Sequence, residues 1–389
     1  MRLDSPFVKR LGWTLFWLLM LHFVVEISGH HYLYNTLGST IFKGKLGPDI
    51  QEYQEMPNRV IEAGKPQPWP LASDYGSHSL NQEELAYHEM NQSVSFVVIH
   101  RDELVHEQYW EDFNDTSKSN SFSMAKSIVG LLTGIAIGRG EIESVETPVY
   151  YYLPQYEKGF GKEMTVEHLL TMSSGINFDE HYLNPFAYPA RANYGDDLEA
   201  LHINYEASEK PGGPFNYQSG TTQVLAFTLR AATRRPLADY ATEHVWKRIG
   251  AEHPAFWSLD REGGMEKGFC CINATAKDFA RIGKLYLHYG NWEGTQIVDS
   301  QYVAASVNLT GSQTKLNSDI YGYSWWLGEH QGKDFFFMRG IKGQYVLVVP
   351  EDELIVVRLG RKRHNGDTSP HPEDVCRYLD MGYRMIEQR

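Results

Sequence analysis

The sequence predicts an α/β protein of the α+β type, with one antiparallel sheet flanked by terminal helices and a helical lobe inserted between the strands. Three patterns lead to this class. A β-branched hairpin pattern comes first, at 95–110, and a long middle section at 141–315 has mostly short helices broken by glycine and proline. Four strand patterns and a closing amphipathic helix follow. Strands from both ends of the chain are therefore expected to share one sheet.

The N-terminal segment 1–29 is expected to direct the protein to a membrane. The run 11–25 carries no charge and follows Lys9 and Arg10, which is the order of an export signal. No cleavage site with small residues follows Val25, and the run extends nearly to the roughly 20 residues that span a bilayer. An uncleaved signal anchor is therefore favoured over a cleaved signal peptide, and a buried N-terminal helix is the third alternative. The preceding positive charges place the body outside the cytoplasm, as a periplasmic or extracellular domain.

Glycine and proline positions and hydrophobic periodicity divide the rest of the chain into segments. Gly-Pro and Pro-Gln-Pro steps predict an irregular lead-in over 30–87. The remaining domain, 88–389, is predicted to have a sheet lobe (88–140 and 316–389) and a helical lobe (141–315). Its helix over 124–137 is apolar around nearly its whole circumference, so it should be central and buried. The other predicted strands and helices are 95–100, 104–110, 166–172, 222–233, 276–289, 323–327, 335–341, 345–349, 354–359 and 373–387.

Composition excludes several kinds of function. The 389 residues are 42% hydrophobic and carry a formal charge of −13, so the chain should fold and repel nucleic acids. Two of the three cysteines are adjacent, which offers no disulfide framework and no zinc knuckle. No His-Glu-x-x-His motif occurs. We therefore expect no metal, no cofactor and no nucleic-acid partner.

The candidate nucleophile lies in Ser123-Met124-Ala125-Lys126, a Ser-x-x-Lys motif. Three residues are about one helical turn, so Lys126 returns to the face of Ser123, and burial would favour the neutral amine that accepts a proton. A second match, Ser312 to Lys315, opens no apolar helix. The alternative for Ser123 is an N-capping serine followed by a lysine that reaches the surface.

Two further segments supply groups that such a serine needs. Tyr217-Gln218-Ser219 follows a Gly-Gly-Pro turn, and a tyrosine fixed there beside the Ser219 hydroxyl can pass protons. The glycine-rich strand 339–344 can offer a backbone N–H that joins the N–H of Ser123 in an oxyanion hole, from Ile341 or a neighbour. The alternative for Tyr217 is an ordinary loop tyrosine, since the chain has 24 tyrosines. The alternative for 339–344 is a simple β-bulge or hairpin turn.

These segments together resemble the successive motifs of the penicillin-recognising serine hydrolases. Within the class C β-lactamase-like group of these enzymes, the chain resembles 6-aminohexanoate-dimer hydrolases and their esterase relatives. The motifs, in chain order over about 96–359, are Phe122-Ser123-Met124-Ala125-Lys126-Ser127, Leu169-Leu170-Thr171-Met172-Ser173-Ser174-Gly175-Ile176, Tyr217-Gln218-Ser219, Asn273-Ala274-Thr275 and Asp278-Phe279-Ala280-Arg281.

The resemblance implies a β-lactamase/transpeptidase-like fold and a role for several residues. Ser123 would be the acylated nucleophile, Lys126 the general base and Tyr217 the proton relay. Tyr182 would close over a bound amide, and Asn273 would lie near the pocket; a packing role in a loop is the alternative for both. The predicted substrate-binding residues are therefore Tyr182, Ser219, Asn273, Ile341 and Gly343.

One departure from the family pattern bears on the substrate. Many relatives have Lys-Thr-Gly or His-Thr-Gly on the last strand of the pocket, whereas this chain has Ile341-Lys342-Gly343. The absence of the first cation weakens the prediction of a β-lactam or peptidoglycan substrate, because such substrates present a carboxylate that the cation helps to hold. We expect an exported hydrolase of small amides or esters, with its oligomeric state open. The alternatives are a β-lactamase or D-alanyl-peptidase-like cell-wall enzyme and a membrane-tethered penicillin-binding sensor without turnover.

Overall fold

The computed structural model describes residues 6–44, 47–182, 184–308, 318–364, 366 and 371–387. The second Ser-x-x-Lys match, Ser312 to Lys315, and the predicted lobe boundary at 315/316 lie outside the described residues. The helices are α1 (Pro6–Ile27), α2 (Tyr32–Ser39), α3 (Gln82–Met90), α4 (Ala125–Gly138), α5 (Val166–Leu170), α6 (Tyr188–Tyr194), α7 (Leu198–His202), α8 (Ser219–Thr233), α9 (Leu237–Ala241), α10 (Ala276–Leu287), α11 (Ser300–Ser306) and α12 (Glu373–Glu387).

The strands form two main sheets and one short hairpin. They are β1 (Asn58–Ile61), β2 (Ser93–His100), β3 (Glu103–Tyr109), β4 (Ser119–Asn120), β5 (Ala255–Ser258), β6 (Ile272–Ala274), β7 (Asn291–Trp292), β8 (Thr295–Gln296), β9 (Trp326–His330), β10 (Lys333–Gly340), β11 (Gln344–Val349) and β12 (Leu354–Gly360). The large sheet is antiparallel, in the order β3-β2-β12-β11-β10-β9. The predicted α+β class, with strands from both ends of the chain in one sheet, is confirmed.

Helices cover both faces of the large sheet, and the sequences of its strands are therefore almost continuously apolar. Successive side chains of a strand point to opposite faces. Val97 lies in the cluster that includes Phe279 of α10, whereas Phe96 and Val98 lie in the cluster that includes Tyr378 of α12. The helix predicted over 124–137 is observed as α4, preceded by a 3₁₀ turn over Phe122–Met124, and it is buried over most of its length.

A smaller four-stranded sheet was not predicted. Its order is β1-β5-β6-β4, so the lead-in contributes its edge strand rather than remaining wholly irregular. Strand β4 ends two residues before Phe122, and Asn120 at its end accepts a hydrogen bond from the N–H of Phe122 at 2.8 Å. This sheet therefore fixes the chain that enters the candidate nucleophile turn.

Two expectations about local structure are wrong. The strand predicted over 323–327 begins only at Trp326, because the N–H groups of Tyr323 and Ser324 donate to the carbonyls of Ser306 and Leu170 instead of a sheet neighbour. The adjacent Cys270 and Cys271 form a disulfide, although the sequence offered no framework for one.

Helix α1 is long and apolar enough to cross a membrane, and none of its residues is buried against the rest of the protein. Export signals near an N-terminus have the same character. The alternative of a buried N-terminal helix is therefore wrong.

Candidate active site

The hydroxyl of Ser123 and the ammonium of Lys126 lie next to each other at the start of α4. Nζ of Lys126 donates to Oγ of Ser123 at 3.0 Å, to the carbonyl of Phe269 at 2.9 Å and to Oγ of Ser219 at 3.3 Å. Lys126 is buried, whereas Ser123 is partly exposed. The lysine therefore does not reach the surface, and the N-cap alternative does not describe this turn, since Ser123 caps no helix.

The backbone around Ser123 is held in an unusual conformation. Phe122, directly before it, has φ of +43°, which non-glycine residues rarely adopt and which surrounding contacts must maintain. Gly340 at the end of β10 approaches this turn so closely that a Cβ at that position would lie 2.3 Å from the carbonyl oxygen of Ser121. Only glycine can bring the strand edge to the turn, and Ile341 directly follows it.

Burial decides the protonation chemistry of the lysine. It lowers the pKa of Lys126 to about 8, against a smaller opposing effect of the Glu180 carboxylate. A buried ammonium loses its hydration, so its neutral form becomes accessible near neutral pH. Lys126 can therefore accept the proton of Ser123.

Tyr217 lies on the other side of the lysine. Nζ of Lys126 is 5.0 Å from the centroid of the Tyr217 ring. Burial raises the pKa of Tyr217 above its ordinary value, although a hydrogen bond with Ser123 acts in the opposite direction. The nearby Lys126 ammonium therefore does not bring the pKa of Tyr217 below its ordinary value. Tyr217 remains a phenol, which can donate and return a proton but does not act as a resting phenolate.

Glu180 is a candidate functional residue that the sequence patterns missed. Its Oε1 accepts from Oγ of Ser219 at 2.5 Å and from the hydroxyl of Tyr182 at 2.8 Å, and its Oε2 accepts from the N–H of Ser219 at 2.9 Å. Ser219 thus connects this carboxylate to Lys126. No motif marked Glu180, because it lies 54 residues after Lys126 and 39 residues before Ser219 in the chain, and only the packing of its loop brings it to them.

The loop that carries Glu180 is held against α8 by a close approach. A Cβ at Gly220 would lie 2.4 Å from ring atoms of Phe178, so only glycine lets Phe178 pack there. Nε2 of Gln218 also donates to the carbonyl of Phe178 at 3.1 Å. These contacts place Glu180 over the first turn of α8.

The remaining predicted substrate-binding residues are distributed differently. Tyr182 and Ser219 lie beside Glu180. The predicted glycine-rich strand ends at Gly340, and Ile341 begins the hairpin turn that joins β10 to β11, as in the alternative interpretation of this segment. Asn273 is fully buried in β6, where its Nδ2 donates to the carbonyls of Phe256 and Cys271. Gly343 lies in the turn after β10, where its carbonyl accepts from Arg358 at 2.8 Å. Roles for these residues in substrate binding stay predictions.

The sequence as a whole matches the family model described as Beta-lactamase over residues 83–375. The chain belongs to the beta-lactamase family. It is similar to a 6-aminohexanoate-dimer hydrolase from Paenarthrobacter ureafaciens, with 26% identity over 313 residues, which cover 74% of this chain and 78% of the relative. The chain is therefore a beta-lactamase-fold serine hydrolase related to that enzyme.

Solved structures support the fold of this beta-lactamase-family protein. A Bacillus anthracis protein provisionally assigned as a 6-aminohexanoate-dimer hydrolase superposes with a TM-score of 0.69 at 20% identity, over 87% of this chain and 92% of the other. A family VIII carboxylesterase superposes with a TM-score of 0.60 at 16% identity, over 84% of this chain and 100% of the other. The predicted β-lactamase/transpeptidase-like fold is confirmed.

Proposed function

We propose that this protein is an exported, membrane-anchored serine hydrolase that cleaves small amide or ester bonds through an acyl-enzyme on Ser123. The observation that carries the proposal is the 3.0 Å contact between Nζ of a buried Lys126 and Oγ of a partly exposed Ser123. A lysine with a pKa of about 8 is suited to activate a serine. The apolar helix α1, with Lys9 and Arg10 near its start, supports anchoring with the body outside the cytoplasm.

The proposed reaction has two halves. Oγ of Ser123 attacks the carbonyl carbon and gives its proton to neutral Lys126, while the N–H of Ser123 and one at the Gly340–Ile341 strand edge hold the oxyanion. The C–N or C–O bond breaks, and the leaving amine or alcohol takes a proton through the Tyr217 hydroxyl. Water then attacks the acyl-enzyme and gives one proton to Lys126, which returns it to Oγ of Ser123 as the ester bond breaks and the acid leaves. The protein's own side chains suffice for both halves.

A substrate panel tests this function. We expect repeated turnover of 4-nitrophenyl butyrate and of the linear 6-aminohexanoate dimer. Turnover of a chromogenic cephalosporin should be much slower, since Ile341 occupies the position where many relatives have the first cation of the Lys-Thr-Gly or His-Thr-Gly motif. Cephalosporin turnover as fast as that of the ester would favour the cell-wall enzyme. An acyl adduct that persists for hours without product would favour the penicillin-binding sensor.

The pH dependence should report Lys126. Because the neutral amine is the reactive form and its pKa is about 8, kcat/KM should rise with pH below about 8 and level off above it. The measurement is kcat/KM for 4-nitrophenyl butyrate between pH 6 and 10. A rate that is flat across this range would contradict a lysine base.

Glu180→Gln should shift that profile in a defined direction. The carboxylate raises the pKa of Lys126, so the amide should lower it and move the rise of kcat/KM to lower pH. Glutamine keeps an oxygen that accepts from Ser219. Glu199→Gln, on α7 at the surface, is the matched control and should leave the profile unchanged. A profile unaltered by Glu180→Gln would show that the carboxylate does not set the protonation of the lysine.

Tyr217→Phe should lower kcat by about 10²-fold, the usual contribution of a positioned proton donor. Phenylalanine keeps the ring beside Lys126 and removes only the hydroxyl. Tyr321→Phe is the matched control, because its ring lies 6.0 Å from that of Tyr217 in the same aromatic cluster. Equal rates for the two variants would remove Tyr217 from the proton pathway.

A further inference from the structure

We propose that the rim of the catalytic pocket faces the membrane surface, so that the enzyme acts on amides or esters of acyl chains held in the bilayer. This inference rests on the proposed hydrolase activity and membrane anchor, and it names the substrate class. It follows from where the chain goes after α1 and from what that segment touches.

The first step concerns the length of α1. From Leu11, after the charged Lys9 and Arg10, to its end the helix extends about 25 Å, which is most of the hydrocarbon core of a bilayer, about 30 Å thick. The helix ends at Ile27, and Tyr32 follows five residues later, a stretch that covers at most about 18 Å. Whatever Tyr32 touches therefore lies close to the membrane surface.

The second step is that α2 is fastened to the helical lobe. The Tyr32 hydroxyl donates to the carbonyl of Pro185 at 3.0 Å, and Nδ2 of Asn35 donates to the carbonyl of Tyr194 at 3.1 Å. Nε2 of His31 lies 2.9 Å from a carboxylate oxygen of Asp196. These contacts hold the helical lobe against the segment that follows the membrane helix. A flexible connection without such contacts would leave the orientation of the lobe relative to the membrane free.

The third step connects this attachment to the pocket. Phe186, beside Pro185, packs against His30 with ring centroids 5.5 Å apart, and its side chain is 56% exposed. Tyr182, four residues earlier, is 51% exposed, yet its hydroxyl reaches Glu180 beside Ser219. Tyr182 thus lies beside the catalytic group, and Pro185 and Phe186 contact the membrane-proximal segment.

The fourth step is the apolar surface of that segment. The side chains of Ile41 and Phe42, in the 3₁₀ turn after α2, are 62% and 79% exposed, and Tyr34 and Leu37 of α2 are also exposed. Such side chains are stabilised when they enter the boundary between headgroups and acyl chains. Tyr34 also contacts His22 of α1, with Oη and Nδ1 2.8 Å apart, which fixes α2 relative to the membrane helix.

A substrate in the bilayer would therefore meet the pocket rim without crossing water. Its acyl carbonyl would be attacked by Oγ of Ser123, the bond to the leaving amine or alcohol would break, and water would release a fatty acid. The chemistry is unchanged from the proposed reaction; only the source of the substrate is new.

The test uses the full chain reconstituted in phosphatidylcholine vesicles that contain phosphatidylglycerol. Two substrates are compared, soluble 4-nitrophenyl butyrate and vesicle-held 4-nitrophenyl palmitate. The double variant Ile41→Asp/Phe42→Glu should lower palmitate turnover about tenfold, because it removes apolar contact with the bilayer, and leave butyrate turnover unchanged. Leu71→Glu is the matched control, since Leu71 is 59% exposed beside β3 of the sheet lobe, and it should change neither rate.

A second measurement reports the geometry without turnover. A benzophenone amino acid placed at position 186 should crosslink to lipid on irradiation, and one placed at position 71 should not. An unchanged palmitate-to-butyrate ratio in the double variant, or equal lipid crosslinking at both positions, would overturn the membrane-facing rim. Absence of butyrate turnover by the parent protein would instead overturn the hydrolase function on which the inference rests.

Discussion

Ser123→Ala is expected to lower kcat for 4-nitrophenyl butyrate by about 10⁶-fold, the size of the loss that follows removal of the catalytic serine of subtilisin. The reason is direct: without Oγ no acyl-enzyme forms, and neighbouring groups cannot replace the nucleophile. Intact mass after exposure to a fluorophosphonate is the most specific readout. The parent should gain one adduct and the variant none.

Ser127→Ala is the matched control for this experiment. Ser127 lies about one turn further along α4, is buried, and its hydroxyl donates to the carbonyl of Ser324 at 2.6 Å. Its loss removes a structural hydrogen bond and leaves Oγ of Ser123 in place, so labelling should persist. Equal labelling of the Ser123→Ala variant and the parent would place the reactive group elsewhere and would remove the basis of the proposed mechanism.

Lys126→Met should have the second largest effect, a loss of about 10³- to 10⁴-fold in kcat, because it removes the general base while keeping an unbranched side chain of similar length. Lys126→Arg should be equally inactive, since a guanidinium stays protonated and cannot accept the proton of Ser123. The rate of fluorophosphonate labelling should fall in parallel with kcat for both variants.

Lys267→Met separates the chemistry of Lys126 from the burial of a lysine as such. Lys267 is also buried, its pKa is also lowered to about 8 by burial, and its Nζ donates to the carbonyl of Asn193 at 2.7 Å. It does not contact Ser123. We expect this variant to be less stable to thermal unfolding but to label at Ser123. If folded Lys267→Met loses labelling as completely as Lys126→Met, the loss results from disturbed packing around a buried lysine and not from removal of a general base.

The sequence alone determined the parts of the site that are local. Ser123 and Lys126 are three residues apart at the start of one apolar helix, and helical geometry brings side chains at that spacing together. The fold class followed for a related reason, since strand and helix periodicities depend on whether neighbouring residues in the chain face the core. Both patterns can be recognised in the sequence without knowledge of the tertiary contacts.

Tertiary structure decided what depends on residues distant in the chain. Glu180 reaches Ser219 only because Phe178 packs against Gly220. The lowered pKa of Lys126 depends on burial by several segments, including the one in which the carbonyl of Phe269 accepts a hydrogen bond from Lys126. The attachment of α2 to the pocket rim joins residues more than 150 positions apart, such as Tyr32 and Pro185. No periodicity records such contacts, because they arise from packing between elements rather than from the geometry within one element.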